Sequence, residues 1–102
     1  MLGKFSRFGI PLFVTENGVA TNDETLRCDF IVQHLKALAE ALENGIKVIG
    51  YLYWTLIDNY EWTMGTEPHF GLAAVDLKTQ ERQPRPCVED FKRVCRENRL
   101  YA

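Results

Sequence analysis

Paired cysteines, long apolar runs and blocks of one charge sign are all missing from this chain. Its three cysteines, Cys28, Cys87 and Cys95, make an odd count without C-x-x-C spacing. That argues against a zinc site and against a disulfide framework of the secreted kind. Cys28 and Cys95 fall in helical patterns and read as small buried hydrophobes. No stretch of about 18 apolar residues and no signal-peptide pattern is present, so the expected address is the cytosol. Lys and Arg total 12 against 14 Asp and Glu, for a net charge of −2. Neither nucleic acid nor a membrane surface is therefore expected as a partner. The basic stretches Lys78 to Arg85 and Lys92 to Arg99 are interleaved with acids and read as solvated faces.

What is present is enough for one modest core: 102 residues, 46% of them hydrophobic, the composition of a single globular unit. Residues 10–15 read as a strand buried on both faces, because apolar residues run there instead of alternating. Thr21-Asn22-Asp23-Glu24 has the form of a capping box, with Thr21 as N-cap and Glu24 reaching back. The helix it opens runs to about Asn44, with Leu26, Phe30, Leu35, Leu38 and Leu42 on one stripe and Arg27, Lys36 and Glu40 off it. Gly45 stops it. Residues 46–54 form a second apolar strand, so strand, helix and strand make one right-handed unit with parallel strands. A loop from Thr55 to Phe70 follows. Gly71 to Asp76 and Lys78 to Gln80 read as a short hairpin. Pro86 opens a last helix with Val88, Phe91, Val94 and Cys95 on one face. Two parallel strands leave bare edges and bare faces. The sheet is expected to be completed by further residues of a longer protein or by copies of this chain.

Two segments carry chemistry. Thr15-Glu16-Asn17-Gly18 puts a carboxylate where the first strand breaks into a turn, and strand C-termini are where α/β enzymes hold their active groups. Gly50-Tyr-Leu-Tyr-Trp54-Thr-Leu-Ile-Asp58-Asn59-Tyr60-Glu61-Trp62 brings carboxylates and indoles to the same rim. Carboxylates beside indole platforms suit a sugar, whose C–H faces stack on rings and whose hydroxyls need acceptors. Asp58 and Asn59 read as ties for the loop's backbone, His34 as a packed helix residue, and His69 as a loop residue for which contact on the aglycone side is the lesser reading.

These two segments, in this order and spacing, resemble the nucleophile motif and the segment after the last barrel strand of family 1 glycoside hydrolases, the β-glucosidase family. Phe70-Gly71-Leu72 and Val75-Asp76 continue the likeness, which covers nearly all of the chain. The resemblance implies an α/β fold in which residues 1–102 are the β-α-β-α C-terminal quarter of a (β/α)8 TIM barrel, strands seven and eight with their helices. No second domain is implied. It implies Glu16 as the catalytic nucleophile of a retaining mechanism and Trp54 as the platform under the sugar. By the same likeness, Glu61 grips two hydroxyls, Trp62 donates to another, and Phe70 belongs to the pocket wall. It also implies a non-proline cis peptide at Trp54–Thr55, and neither a cofactor nor a metal. The expected substrates are terminal unphosphorylated β-D-glucosides, or β-fucosides and β-galactosides, because an anionic Glu61 repels a sugar phosphate. Thr55 for the commoner serine, Ala73-Ala74 and Cys87 depart from the family pattern outside the pocket.

A retaining glycosidase needs a second carboxylate as acid/base. The family carries it in an Asn-Glu-Pro motif, and the one Glu-Pro of this chain, Glu67-Pro68, follows Thr66. The chain by itself thus holds half of the catalytic pair and is expected to be nearly inactive. Two alternatives stand beside the enzyme reading: a self-assembling barrel quarter that binds sugars without cleaving them, and an inactive truncated fragment.

Overall fold

The run Leu12-Phe13-Val14 enters a six-residue strand that ends on the polar residues Thr15, Glu16 and Asn17. In the computed structural model, which describes residues 1–100, a short helix α1 (Leu2–Ser6) precedes this strand, β1 (Leu12–Asn17). The sequence reading had no counterpart for α1. Then come α2 (Glu24–Glu43) and β2 (Val48–Tyr53), and β2 lies parallel to β1 with Phe13 opposite Gly50, Val14 opposite Tyr51 and Asn17 opposite Tyr53. The expected parallel unit is therefore formed, with β1 shifted two residues towards the C-terminus and β2 lying within its expected bounds.

Helix α2 starts differently from the expected capping box. Asp23, not Thr21, is the N-cap, and its carboxylate accepts from the amides of Thr25 (2.9 Å) and Leu26 (3.1 Å). Thr21 sits one step earlier, its hydroxyl accepting from the Asp23 amide at 2.9 Å. Glu24 does not reach back; both of its oxygens are taken by arginines. A carboxylate is the better N-cap acceptor, and an arginine is a stronger partner for Glu24 than an amide. At the other end Gly45 adopts φ 78° and closes the helix as expected.

The loop after β2 contains one 3-10 turn (Trp62–Met64) and leads into an antiparallel hairpin, β3 (Ala73–Val75) and β4 (Arg82–Pro84). Residues 78–80, expected as the returning arm, are instead the turn. The Asp76 carboxylate accepts from the amides of Lys78 (2.8 Å) and Thr79 (2.9 Å), an Asx arrangement that bends the chain before it can pair. The last helix, α3 (Val88–Glu97), follows Pro86 and ends on Asn98 in the left-handed conformation, φ 48°.

The core lies between the two long helices and one face of the sheet. Ile31 and Leu35 of α2 meet Leu72 and Cys87, and Tyr51, Tyr53, Val88, Phe91 and Val94 pack around them. The Phe91 ring lies 6.5 Å from that of Tyr51 and 6.1 Å from that of Tyr53, within aromatic contact range. The apolar stripe of α2 is only partly used, since Leu26 and Leu42 are about half exposed (46% and 49%). Of the cysteines, the buried one is Cys87, while Cys95 is exposed and Cys28 intermediate. Cys95 follows Val94 on α3 and turns off the face that Phe91 and Val94 share. Burial, with a hydrogen bond to Cys28, pushes the Cys87 thiol up to about 12.

The opposite side of the sheet is bare. Phe13 and Leu52, both inside their strands, are 49% and 54% exposed. The molecule measures 47 × 32 × 20 Å with a radius of gyration of 15.1 Å, where about 13 Å is usual for this length. Its accessible surface is 7427 Å², about a quarter above the roughly 5,900 Å² usual for a folded monomer of this mass. This is a slab with a free face and free strand edges.

Candidate active site

Glu16 stands on the exposed rim at the end of β1, one residue before the last paired position, Asn17. Among the described residues no hydrogen bond engages its carboxylate. Asn17 fixes the rim from both sides: its carbonyl accepts from the Trp54 amide at 2.9 Å and its side-chain oxygen accepts from the Tyr51 hydroxyl at 2.8 Å. Burial, and secondarily the neighbouring Tyr53, pushes the Tyr51 phenol up to about 12, so it stays a hydrogen-bond donor at any ordinary pH.

Trp54 follows β2 directly, and its peptide bond to Thr55 is cis. The indole nitrogen donates to Glu61 Oε1 at 3.2 Å, which joins the platform residue of the sequence reading to the hydroxyl-gripping one. The Glu61 turn is closed on itself, the Glu61 amide donating to the Gly65 carbonyl at 2.7 Å and the Met64 amide to the Glu61 carbonyl at 2.8 Å. Trp62 is 83% exposed and holds φ 44°. That left-handed conformation costs a large residue on the order of 1 kcal/mol. Phe70 contributes its backbone, the carbonyl accepting from the Tyr53 hydroxyl (3.2 Å) and the Thr55 amide (3.4 Å).

The structure thus brings Trp54 and Glu61 into contact and sets Asn17 against Trp54. Glu16 and Trp62 are both exposed. The cavity that Glu16 touches is an open groove of about 800 Å³ along β1, lined by Phe5, Phe13, Thr15, Ala37 and Leu38 among others, and Trp54 and Glu61 lie outside it. Among the described residues no group of acidic, histidine or cysteine side chains could hold a metal ion, and no helix is long and apolar enough to cross a membrane.

Behind the rim lies a set of ion pairs that the helical pattern did not reveal. Arg27, expected off the buried stripe, is 0% exposed. Arg85, expected on a solvated face, binds Asp58 through two parallel bonds, Nη1 to Oδ1 at 3.0 Å and Nη2 to Oδ2 at 2.8 Å. Asp58 ties the loop backbone as expected, Oδ1 accepting from the Gly71 amide at 2.8 Å. Asn59 does not: its side-chain oxygen is buried without a hydrogen-bond partner among the described residues. His69 lies with Nδ1 3.6 Å from Asp58 Oδ2, and His34 stacks on Phe30 with ring centroids 3.8 Å apart.

Burial acts to raise the Asp58 carboxyl, but the Arg85 hydrogen bonds, the Gly71 amide and the charges of Arg85 and His69 outweigh it and hold it below its ordinary 3.8. A carboxylate lowered on folding contributes stability above its unfolded value and loses it as pH falls through its folded one. The chain is therefore expected to lose stability on acidification below about pH 4. Asp58→Asn should lower stability at neutral pH by about 2 kcal/mol and flatten that acid limb. Urea midpoints measured from about pH 2.5 to 7 on both proteins check this; parallel acid limbs in the two would count against it.

Parallel strands joined by a helix, with polar and aromatic groups collected at their C-terminal ends, define an α/β unit of the kind from which (β/α)8 barrels are built. The family model for glycosyl hydrolase family 1 matches residues 3–100. The chain belongs to glycosyl hydrolase family 1. It is 42% identical over 93 residues to a β-galactosidase of Pyrococcus woesei, an alignment covering 90% of this chain and 18% of that protein. It superposes on the β-glycosidase from Pyrococcus horikoshii with TM-score 0.95 at 46% identity, covering 99% of this chain and 24% of the other. A family 1 β-glucosidase from Thermotoga maritima, solved with isofagomine lactam, gives TM-score 0.93 at 29% identity over 98% of this chain and 25% of its own length. The chain spans less than a quarter of the curated relative's length and about a quarter of the solved structures.

Proposed function

We propose that this chain is the nucleophile-bearing C-terminal quarter of a retaining β-glycosidase, with β1 and β2 as the seventh and eighth barrel strands. The carrying observation is the rim itself. The Trp54 indole bonded to Glu61 at 3.2 Å and the Trp54 amide bonded to Asn17 at 2.9 Å hold a platform and a hydroxyl acceptor next to the strand end that presents Glu16.

In this reading a pyranose stacks on Trp54 while Glu61 accepts from its hydroxyls and Trp62 donates to them, with Phe70 at the wall. A Glu16 oxygen attacks the anomeric carbon as the bond to the aglycone oxygen breaks. The proton for that oxygen comes from an acid about 5–5.5 Å from Glu16, supplied by the barrel portion outside this chain. Water then attacks the ester with that same group acting as base, and Glu16 leaves as carboxylate. The substrate class is an unphosphorylated β-glucoside, β-galactoside or β-fucoside. It agrees with the β-galactosidase and β-glucosidase names of the relatives and with the sugar-like lactam held by one of them.

The test is a 2-deoxy-2-fluoro β-glucoside with a dinitrophenolate leaving group, which departs without a proton. It is offered to the chain complemented with the barrel portion it does not span, and intact mass and peptide mapping follow. One fluoroglycosyl unit on Glu16 is expected; labelling elsewhere, or none in a complex that turns over glucosides, sinks the assignment.

A further inference from the structure

We propose that Arg27 is a positioning residue for the sugar site, a buried clasp that fixes Trp54 and Glu61 by tying the loop after β1 to the end of the loop after β2. The proposal rests on the reading of Trp54 and Glu61 as sugar contacts, but the geometry behind it does not. Arg27 is the largest fully buried side chain among the described residues, and every nitrogen of its guanidinium is engaged. Nη1 donates to the carbonyls of Val19 (3.4 Å) and His69 (3.0 Å), Nη2 donates to the carbonyl of Thr21, and Nε donates to Glu24 Oε2 at 3.2 Å. The His69 carbonyl also accepts from the Thr21 amide at 3.1 Å. One fork thus holds the segment just after Glu16-Asn17-Gly18 against the segment just before Phe70.

The clasp continues as an alternating chain of charge. Glu24 uses its second oxygen on Arg85 Nε at 3.0 Å, and Arg85 grips Asp58 and the Gly71 carbonyl, the latter at 2.7 Å. Asp58 and Gly71 bracket the loop that carries Glu61 and Trp62, so both ends of that loop are anchored to the first turn of α2. Two arginines and two carboxylates cancel in charge, which makes the burial tolerable. A planar fork with five N–H donors in fixed directions reaches three carbonyls and a carboxylate at once, which a lysine ammonium cannot do.

The chain's only tryptophans are Trp54 and Trp62, so their fluorescence reports this rim alone. In the full chain, Arg27→Lys is expected to shift the emission to the red and to raise acrylamide quenching about twofold. Far-UV circular dichroism should stay unchanged, at a temperature well below the unfolding midpoint. A role limited to general stability would lower the midpoint and leave the native spectrum where it is. Wild-type emission and quenching in folded Arg27→Lys overturns the proposal. Should Arg27→Lys fail to fold, Glu24→Gln decides: it keeps an acceptor for one arginine and loses the charge shared by both. A red shift with increased quenching supports the clasp, and a wild-type spectrum refutes it. Neither result depends on Glu16 labelling, so a failed nucleophile assignment leaves this measurement standing.

Discussion

Glu16→Gln, in the chain complemented to a whole barrel, is expected to lower turnover of a β-glucoside by about 10⁴-fold or more with KM little changed. The amide has nearly the shape of the carboxylate and almost none of its nucleophilicity. In the chain alone, where no hydrogen bond among the described residues engages the Glu16 side chain and it stands exposed on the rim, stability should change by less than about 0.5 kcal/mol. The loss is therefore chemical and not structural, and steady-state kinetics beside a thermal melt separates the two. A smaller residue sharpens the test. Glu16→Ala leaves room for azide, whose attack from the vacated side should restore turnover and give an α-glycosyl azide from a β-glycoside. A glutamine variant within tenfold of the parent would remove Glu16 from the nucleophile's role.

Gly18→Ala is expected to destabilise the chain by about 3 kcal/mol or more, the upper end of what overpacking costs. A Cβ at position 18 would lie 1.8 Å from the Trp54 carbonyl oxygen and 2.8 Å from its carbon. Both are backbone atoms of Trp54, so neither can swing aside as a side chain can. Gly50 is the instructive contrast. A Cβ there meets the Phe13 ring at 2.3 Å, but that ring is half exposed and free to turn away, so Gly50→Ala should cost no more than about 1–2 kcal/mol. Chemical denaturation of the two variants gives the comparison directly. Equal costs would mean that the backbone approach of Gly18 to Trp54 relaxes as easily as a side chain does.

Much of this architecture is legible from the residues. Runs of apolar residues in two strands, the Gly45 stop and the long helix between them dictate a parallel unit, and the bare edges follow from having only two such strands. Candidate site residues could be named from the sequence because carboxylates and indoles at strand ends are unusual company, and the structure joins two of them, Trp54 and Glu61. What escaped is instructive in its physics. A helical stripe sorts residues by polarity, so it placed Arg27 outside; yet Arg27, Ile31 and Leu35 lie four residues apart on the same buried line. The signal that could have found it is the surplus of loop carbonyls around a β-to-α turn, which need a donor when the turn is covered. Arg85 was hidden likewise, since charge alternation along the sequence says nothing about which arginine meets a carboxylate from another segment. Cys95 was misassigned for a simpler reason: helical phase was counted without knowing which face of α3 meets the sheet. The N-cap moved from Thr21 to Asp23 because two acceptors stood two residues apart and the carboxylate is the stronger of the two.

The free face and edges of the slab make folding of this chain a matter of mass action. An accessible surface of 7427 Å² on so small a body means that anything able to cover it binds the folded state and not the unfolded one. Each such partner adds RT ln(1 + [L]/Kd) to stability, about 2.7 kcal/mol at a hundredfold excess over Kd. The melting temperature of the chain is then a property of what surrounds it and at what concentration, and dilution acts on it as a denaturant does.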